Sequence, residues 1–130
     1  MDWSNEVDSP VELTPRYIEC HNDYDLDGLM GLVHEFVDFK RASDQPLSGA
    51  EAVRRQYRKD WEGHDQVVVT VKRIFESGSS AAVEIHVESG PPSNVRYDGV
   101  VVHNWNREGH LIKYRLYVDE VLPSADPGSA

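Results

Sequence analysis

From about residue 66 the chain reads as four strand-like runs: QVVVTVKRIF, AAVEIHVES, VRYDGVVVHNW and HLIKYRLYVDEV. Each is rich in β-branched and aromatic residues, which suit a pleated, half-buried surface. The segments between them, ESGSS, GPPSN and NREG, are turn chemistry. Links this short join neighbouring strands only in antiparallel fashion, so the runs predict a meander. A sheet of that size needs one face covered, and the rest of the chain must supply the cover.

The preceding residues read mostly as helix. Ser9-Pro10-Val11-Glu12 has the form of a capping box with proline at the first helical position. Pro15 leaves open a restart with Thr14 as the cap. Either start places Tyr17, Ile18 and His21 on nearby faces of a helix ending near Asp23. The aspartates of DYDLDG predict caps for a short second helix, LDGLMGLVHE, and EFVDFK predicts a short strand. After the loop RASDQPLSG, Ser48-Gly49-Ala50-Glu51 opens a third helix running to about Trp61. The expected organisation is one α+β domain over residues 9–122, with flexible ends at 1–8 and 123–130.

Composition narrows the partners. A net charge of −10 over 130 residues disfavours nucleic acid and anionic membranes. The single cysteine, Cys20, allows neither an internal disulfide nor a cysteine metal cluster. No apolar stretch is long enough to span a bilayer, and MDWSNEVDSP is unlike a secretory signal. The expectation is a soluble protein of a reducing cytoplasm. The six histidines include no HxH or HExxH spacing, so no metal and no cofactor are expected.

The run AAVEIHVES poses the functional question. Val83, Ile85 and Val87 alternate with Glu84, His86 and Glu88. Taken alone, this describes a strand with its polar side in water. Inside a pocket, a neutral imidazole beside a carboxylate makes a general base near neutral pH.

The element order, with the phrases RYIECHNDYDLDGLMGLVHEFVDF, PLSGAEAVRRQY and NREGHLIKYRLYVDE, resembles the nuclear transport factor 2-like superfamily over roughly residues 10–121. Its SnoaL-like and ketosteroid-isomerase-like branches are the most similar. The resemblance implies a cone: a strongly curved, mostly antiparallel sheet wrapped around three N-terminal helices, with a deep pocket at the open end. It also implies which side chains face that pocket. They are Glu84 and His86, Asp38 and Lys40, Tyr97, Val101 and His103, and Tyr114, Leu116 and Val118. Tyr17 falls where the isomerases carry their oxyanion-hole tyrosine. Two departures argue against a ketosteroid isomerase: Lys40 stands at the general-base position and Val101 at that of the oxyanion-hole aspartic acid. The arginine and two aspartates of the limonene-epoxide-hydrolase-like members are absent as well.

The roles that follow are these. His86 acts as base, oriented by Glu84; Tyr17 or Tyr114 stabilises an oxyanion; His103 or Asp38 returns the proton. Lys40 anchors substrate, and Tyr57, Trp61, Tyr97, Val101, Tyr114, Leu116 and Val118 shape the pocket. Each has a plainer reading. The tyrosines serve equally as core aromatics with a polar tip, and Asp38 with Lys40 as a solvated strand edge. The resulting expectation is a cofactor-independent enzyme that abstracts a proton next to a carbonyl on an apolar oxygenated substrate, leading to isomerisation, dehydration or cyclisation. The alternative is a ligand-binding or interaction module without catalysis, since one fold hosts both. If Glu84 and His86 face inward, then Val83, Ile85 and Val87 face outward with Val100 and Val102. That surface predicts a homodimer through the convex face of the sheet.

Overall fold

A computed structural model describes residues 9–63, 67–91 and 94–122. The expected flexible ends at 1–8 and 123–130 lie outside the described residues.

Helix α1 spans Pro10–Asn22. Its ladder starts at the Ser9 carbonyl, which accepts the Glu12 and Leu13 N–H groups at 2.9 Å. The Ser9 hydroxyl meets the Glu12 carboxylate at 3.5 Å and does not cap the backbone. The helix passes through Pro15 without a restart. A proline removes the bond to the carbonyl four residues back; burial of Leu13, Thr14, Tyr17 and Ile18 on one side offsets that loss. Helix α2 is only Leu26–Met30, with the Asp25 carboxylate accepting the Gly28 N–H at 2.9 Å. The longer helix expected from LDGLMGLVHE does not form. Gly28 and Gly31 weaken it, and Val33 instead pairs with Leu111 in the sheet. Strand β1 is therefore longer than expected, Val33–Arg41.

Strand β2, Leu47–Ser48, hairpins onto β1, and helix α3 follows over Ala50–Gly63. The meander forms as read, with β3 at Val67–Ser77, β4 at Ser80–Ser89, β5 at Arg96–Trp105 and β6 at Leu111–Val121. The strand order is β2-β1-β6-β5-β4-β3, with β1 parallel to β6 and the other pairs antiparallel. Register shifts interrupt β1/β6, β3/β4 and β5/β6, and such bulges raise local twist and bend the sheet. Gly99 sits at one of them. A β-carbon there would stand 2.5 Å from the Tyr117 carbonyl oxygen, so the close crossing requires glycine. The sheet is curved and open, the three helices fill its concave side, and the whole is the expected cone. Among the described residues no helix is long and apolar enough to cross a membrane.

Two facing assignments drawn from the resemblance are reversed. On β4, Ala81, Val83, Ile85 and Val87 are buried against the helices, so Glu84, His86 and Glu88 occupy the outer face. On β1, Val37 and Phe39 are buried, which sends Asp38 and Lys40 outward. The reason is energetic. Burying each aliphatic side chain is worth about 1.5–3 kcal/mol, whereas a charge taken out of water without a partner is costly. The plain alternation of the sequence already pointed this way. The outward aliphatic surface loses Val83, Ile85 and Val87; Val100 and Val102 do face outward, half-buried.

Candidate functional site

The concave side of the sheet does not close on the helices. It leaves a cavity of about 480 Å³ between α1, α3 and strands β3 to β6. Along one wall lie Val69, Ile85, Val87, Val101, Leu116 and Val118. The helices and the end of β1 supply the polar groups. Of the residues expected to face a pocket, Tyr17, Tyr57, Trp61, Tyr97, Val101, His103, Tyr114, Leu116 and Val118 line it.

Tyr17 of α1 and Tyr57 of α3 meet hydroxyl to hydroxyl at 2.7 Å, both rings buried. Burial raises the pKa of each phenol, that of Tyr17 well above its ordinary value, so both are neutral hydrogen-bonding groups. Tyr114 is buried beside them, stacked on Phe39 with ring centroids 4.2 Å apart.

His103 of β5 is fully buried. Its Nδ1 lies 3.0 Å from the Thr14 hydroxyl, which also accepts the Trp105 indole N–H at 3.0 Å. A hydroxyl has one proton, and an indole nitrogen only donates. Thr14 therefore accepts from Trp105, and Nδ1 is the acceptor that its own proton meets among the described residues, so it donates there. Burial pushes the His103 pKa down to about 3, so the ring is neutral with its proton on Nε2. That Nε2–H is buried and has no hydrogen-bond partner among the described residues.

Arg41, His21 and Asp60 complete the lining, and none was singled out from sequence as a site residue. The Arg41 guanidinium holds Asp60 at 2.7 Å and Asp44 at 3.6 Å, while Gln56 donates to the other Asp60 oxygen at 2.8 Å. Burial opposes the Arg41 charge, but Tyr57 and Asp60 nearby keep it a permanent cation. The signals for these residues were present. Arg41 continues the inward alternation of Val37 and Phe39. Asp60 lies three residues after Tyr57 on a helix, and His21 four after Tyr17.

The expected base and its neighbour are elsewhere. His86 is on the outer face, with Nδ1 2.8 Å from Asp98 and Nε2 2.9 Å from Glu88. Those two carboxylates, Glu88 foremost, raise its pKa. Glu84 pairs with Arg73 at 3.5 Å on the same face. Asp38 pairs with Arg115 at 2.8 Å, which lowers its carboxyl pKa. The Lys40 ammonium donates to the Ala42 carbonyl. None of the four lines the cavity.

The SnoaL-like domain family matches residues 15–114. Solved structures share the fold at low identity. An NTF2-like protein of unknown function from Cytophaga hutchinsonii is 14% identical, with a TM-score of 0.72 over 85% of this chain and 90% of that one. An LEH-like epoxide hydrolase of Mycobacterium tuberculosis is 16% identical, with a TM-score of 0.74 over 85% of this chain and 82% of that one. Another M. tuberculosis protein, in complex with estradiol-17beta-hemisuccinate, is 17% identical, with a TM-score of 0.74 over 85% and 93%. No curated protein sequence matches the chain. On the family match and the cone that carries it, the chain belongs to the SnoaL-like domain family of the nuclear transport factor 2-like superfamily.

Proposed function

We propose that the cavity takes a mostly apolar small molecule by one or two of its oxygen atoms and turns it over by acid/base chemistry. The reaction class is proton abstraction next to a carbonyl, as in an isomerase, dehydratase or cyclase. The observation that carries this reading is the His103 Nε2–H. A buried donor without an acceptor costs about 1–3 kcal/mol, and a ligand oxygen in the cavity would satisfy it. The Tyr17–Tyr57 pair is a second donor for the same oxygen or another, and aimed neutral donors are what a developing oxyanion requires. The aliphatic wall suits a fused-ring or terpenoid-like body, and one structural relative holds a steroid ester. Glu84, His86, Asp38 and Lys40 have no part in this reading.

Titration of the protein with estradiol, followed by tryptophan fluorescence, tests the binding step. Saturable binding that weakens at least about tenfold in His103→Phe is expected, the loss of one well-placed hydrogen bond. No binding of estradiol or of smaller apolar ketones to the wild-type protein would sink the reading.

A non-catalytic ligand carrier is the second reading. It is favoured by one observation: the cavity-lining carboxylate Asp60 is tied to Arg41 and Gln56, so it is not a free base. Turnover of a bound ketone separates the two. We also propose a homodimer through the outer face of the sheet. It rests on Phe75 and Tyr117, both more than half exposed, and on the neighbouring Val100 and Val102.

A further inference from the structure

We infer that His21 is the proton acceptor of this cavity, held by Asn22 so that the lone pair of its Nε2 is open to the ligand; the inference rests on the acid/base reading above. Asn22 ends α1 beside the edge strand β3. Its side-chain oxygen accepts the Val69 N–H at 2.8 Å and its amide nitrogen donates to the Val69 carbonyl at 2.8 Å. Turning the amide over would set donor against donor and acceptor against acceptor, so the oxygen's position is fixed. That same oxygen lies 3.3 Å from His21 Nδ1. Only a protonated Nδ1 can approach an acceptor, and a neutral imidazole has one proton. Nε2 is therefore the lone pair, and it makes no hydrogen bond to the described residues.

The surroundings keep the ring neutral. Burial lowers the His21 pKa first; the Asn22 hydrogen bond and Asp60 of α3 raise it, and Arg41 of β1 lowers it. Tyr57 and Trp61 of α3 stand edge-on to the ring at 5.9 and 6.0 Å between centroids. Val69 is the β3 neighbour and has no charge. The cavity thus holds two histidines of opposite tautomer. His103 offers a proton at Nε2, and His21 offers a lone pair at the same atom. One is fixed by Thr14 and the other by Asn22.

The step that this pairing serves is balanced without any further reactant. In a β,γ-unsaturated ketone, a proton leaves the carbon between the carbonyl and the C=C bond for His21 Nε2. The C–H electron pair becomes the new C=C bond of an enolate, and the carbonyl pair moves onto oxygen, where His103 or the tyrosine pair donates to it. The His21 imidazolium then returns the proton to a different carbon of the conjugated system. The carbonyl reforms and the ring is neutral again.

Two measurements on the full chain test this. In ¹⁵N-labelled protein at pH 7, two-bond nitrogen–proton couplings report each histidine tautomer. His21 should show the Nδ1–H form, and Asn22→Ala should shift it toward Nε2–H. A wild-type His21 that is Nε2–H or protonated at pH 7 overturns the inference. An unchanged tautomer in Asn22→Ala overturns the positioning role of Asn22. The second measurement uses 2-tetralone, an apolar bicyclic ketone, and follows its α-proton exchange in D₂O by NMR. The wild-type protein should accelerate exchange, with the rate falling on the acid side below the ordinary histidine range. His21→Gln should lose about 100-fold or more of that rate while still binding the ketone. Equal rates in wild type and variant, or a wild-type complex exchanging at the buffer rate, overturn the base. Failure of the wild-type protein to bind 2-tetralone overturns the pocket reading itself, and the base with it.

Discussion

Tyr17 and Tyr57, 40 residues apart, share one hydrogen bond of 2.7 Å between buried hydroxyls. Tyr57 also bonds the Tyr114 hydroxyl, so three phenols share two hydrogen bonds and keep one proton for a ligand in the cavity that all three rings line. The contact is therefore both a tie between α1 and α3 and a prepared donor.

Replacing Tyr17 by Phe removes one hydrogen bond and leaves the buried Tyr57 hydroxyl with Tyr114 as its partner. The expected cost is about 0.5–1.5 kcal/mol. The double variant Tyr17→Phe with Tyr57→Phe should cost less than the sum of the singles, because each single already removes the one bond that the two residues share. Urea unfolding of the three variants measures this, and strict additivity would contradict the shared bond.

Stability should rise with pH across the acid range because of His103. Its pKa is about 3 in the folded protein and near 6.5 when unfolded. Between those values the unfolded chain binds a proton that the folded one does not. Stability is thus lost as pH falls from about 6.5, by up to about 1.4 kcal/mol for each pH unit. His21, also lowered by burial, acts in the same direction. His86, raised by its carboxylates, acts in the opposite one, contributing stability that fades as pH rises through its folded value. Urea midpoints at pH 5 and pH 6 should differ clearly in the wild type and much less in His103→Gln.

The facing of β4 separates two adjacent residues sharply. Ile85 is 3% exposed and lines the cavity, so Ile85→Ala should cost about 2–5 kcal/mol. Glu84→Gln, on the other side of the strand, should stay within about 0.5 kcal/mol of wild type. Turnover, once a substrate is found, should likewise survive Glu84→Gln and His86→Gln. A large loss of rate in either would return the chemistry to the outer face.

The outer face can be tested by sedimentation. A dimer at micromolar concentration that dissociates in Tyr117→Lys is expected, since Tyr117 is 58% exposed beside Val100. A strictly monomeric wild type would remove the sheet-face interface.

Particular residues show how far the amino-acid sequence alone reaches. Alternating Val, Ile and Tyr between ESGSS, GPPSN and NREG determined four strands and their antiparallel order, because period and turn chemistry act over a few residues. Ser9-Pro10 likewise determined where α1 begins. The strand Val83–Val87 was legible too: its alternation put the aliphatics inside. The inward assignment of Glu84 and His86 failed because facing was carried over from a resemblance, and a slip of one residue turns every side chain to the other face. Tertiary structure alone decided that Thr14 would meet His103 across 89 residues, that Arg41 would meet Asp60, and that Asn22 would grip Val69. Each pairing depends on how the helices seat in a bent sheet. That seating is fixed by the packing of the whole core and by bulges such as the one at Gly99, and no short window of sequence contains it.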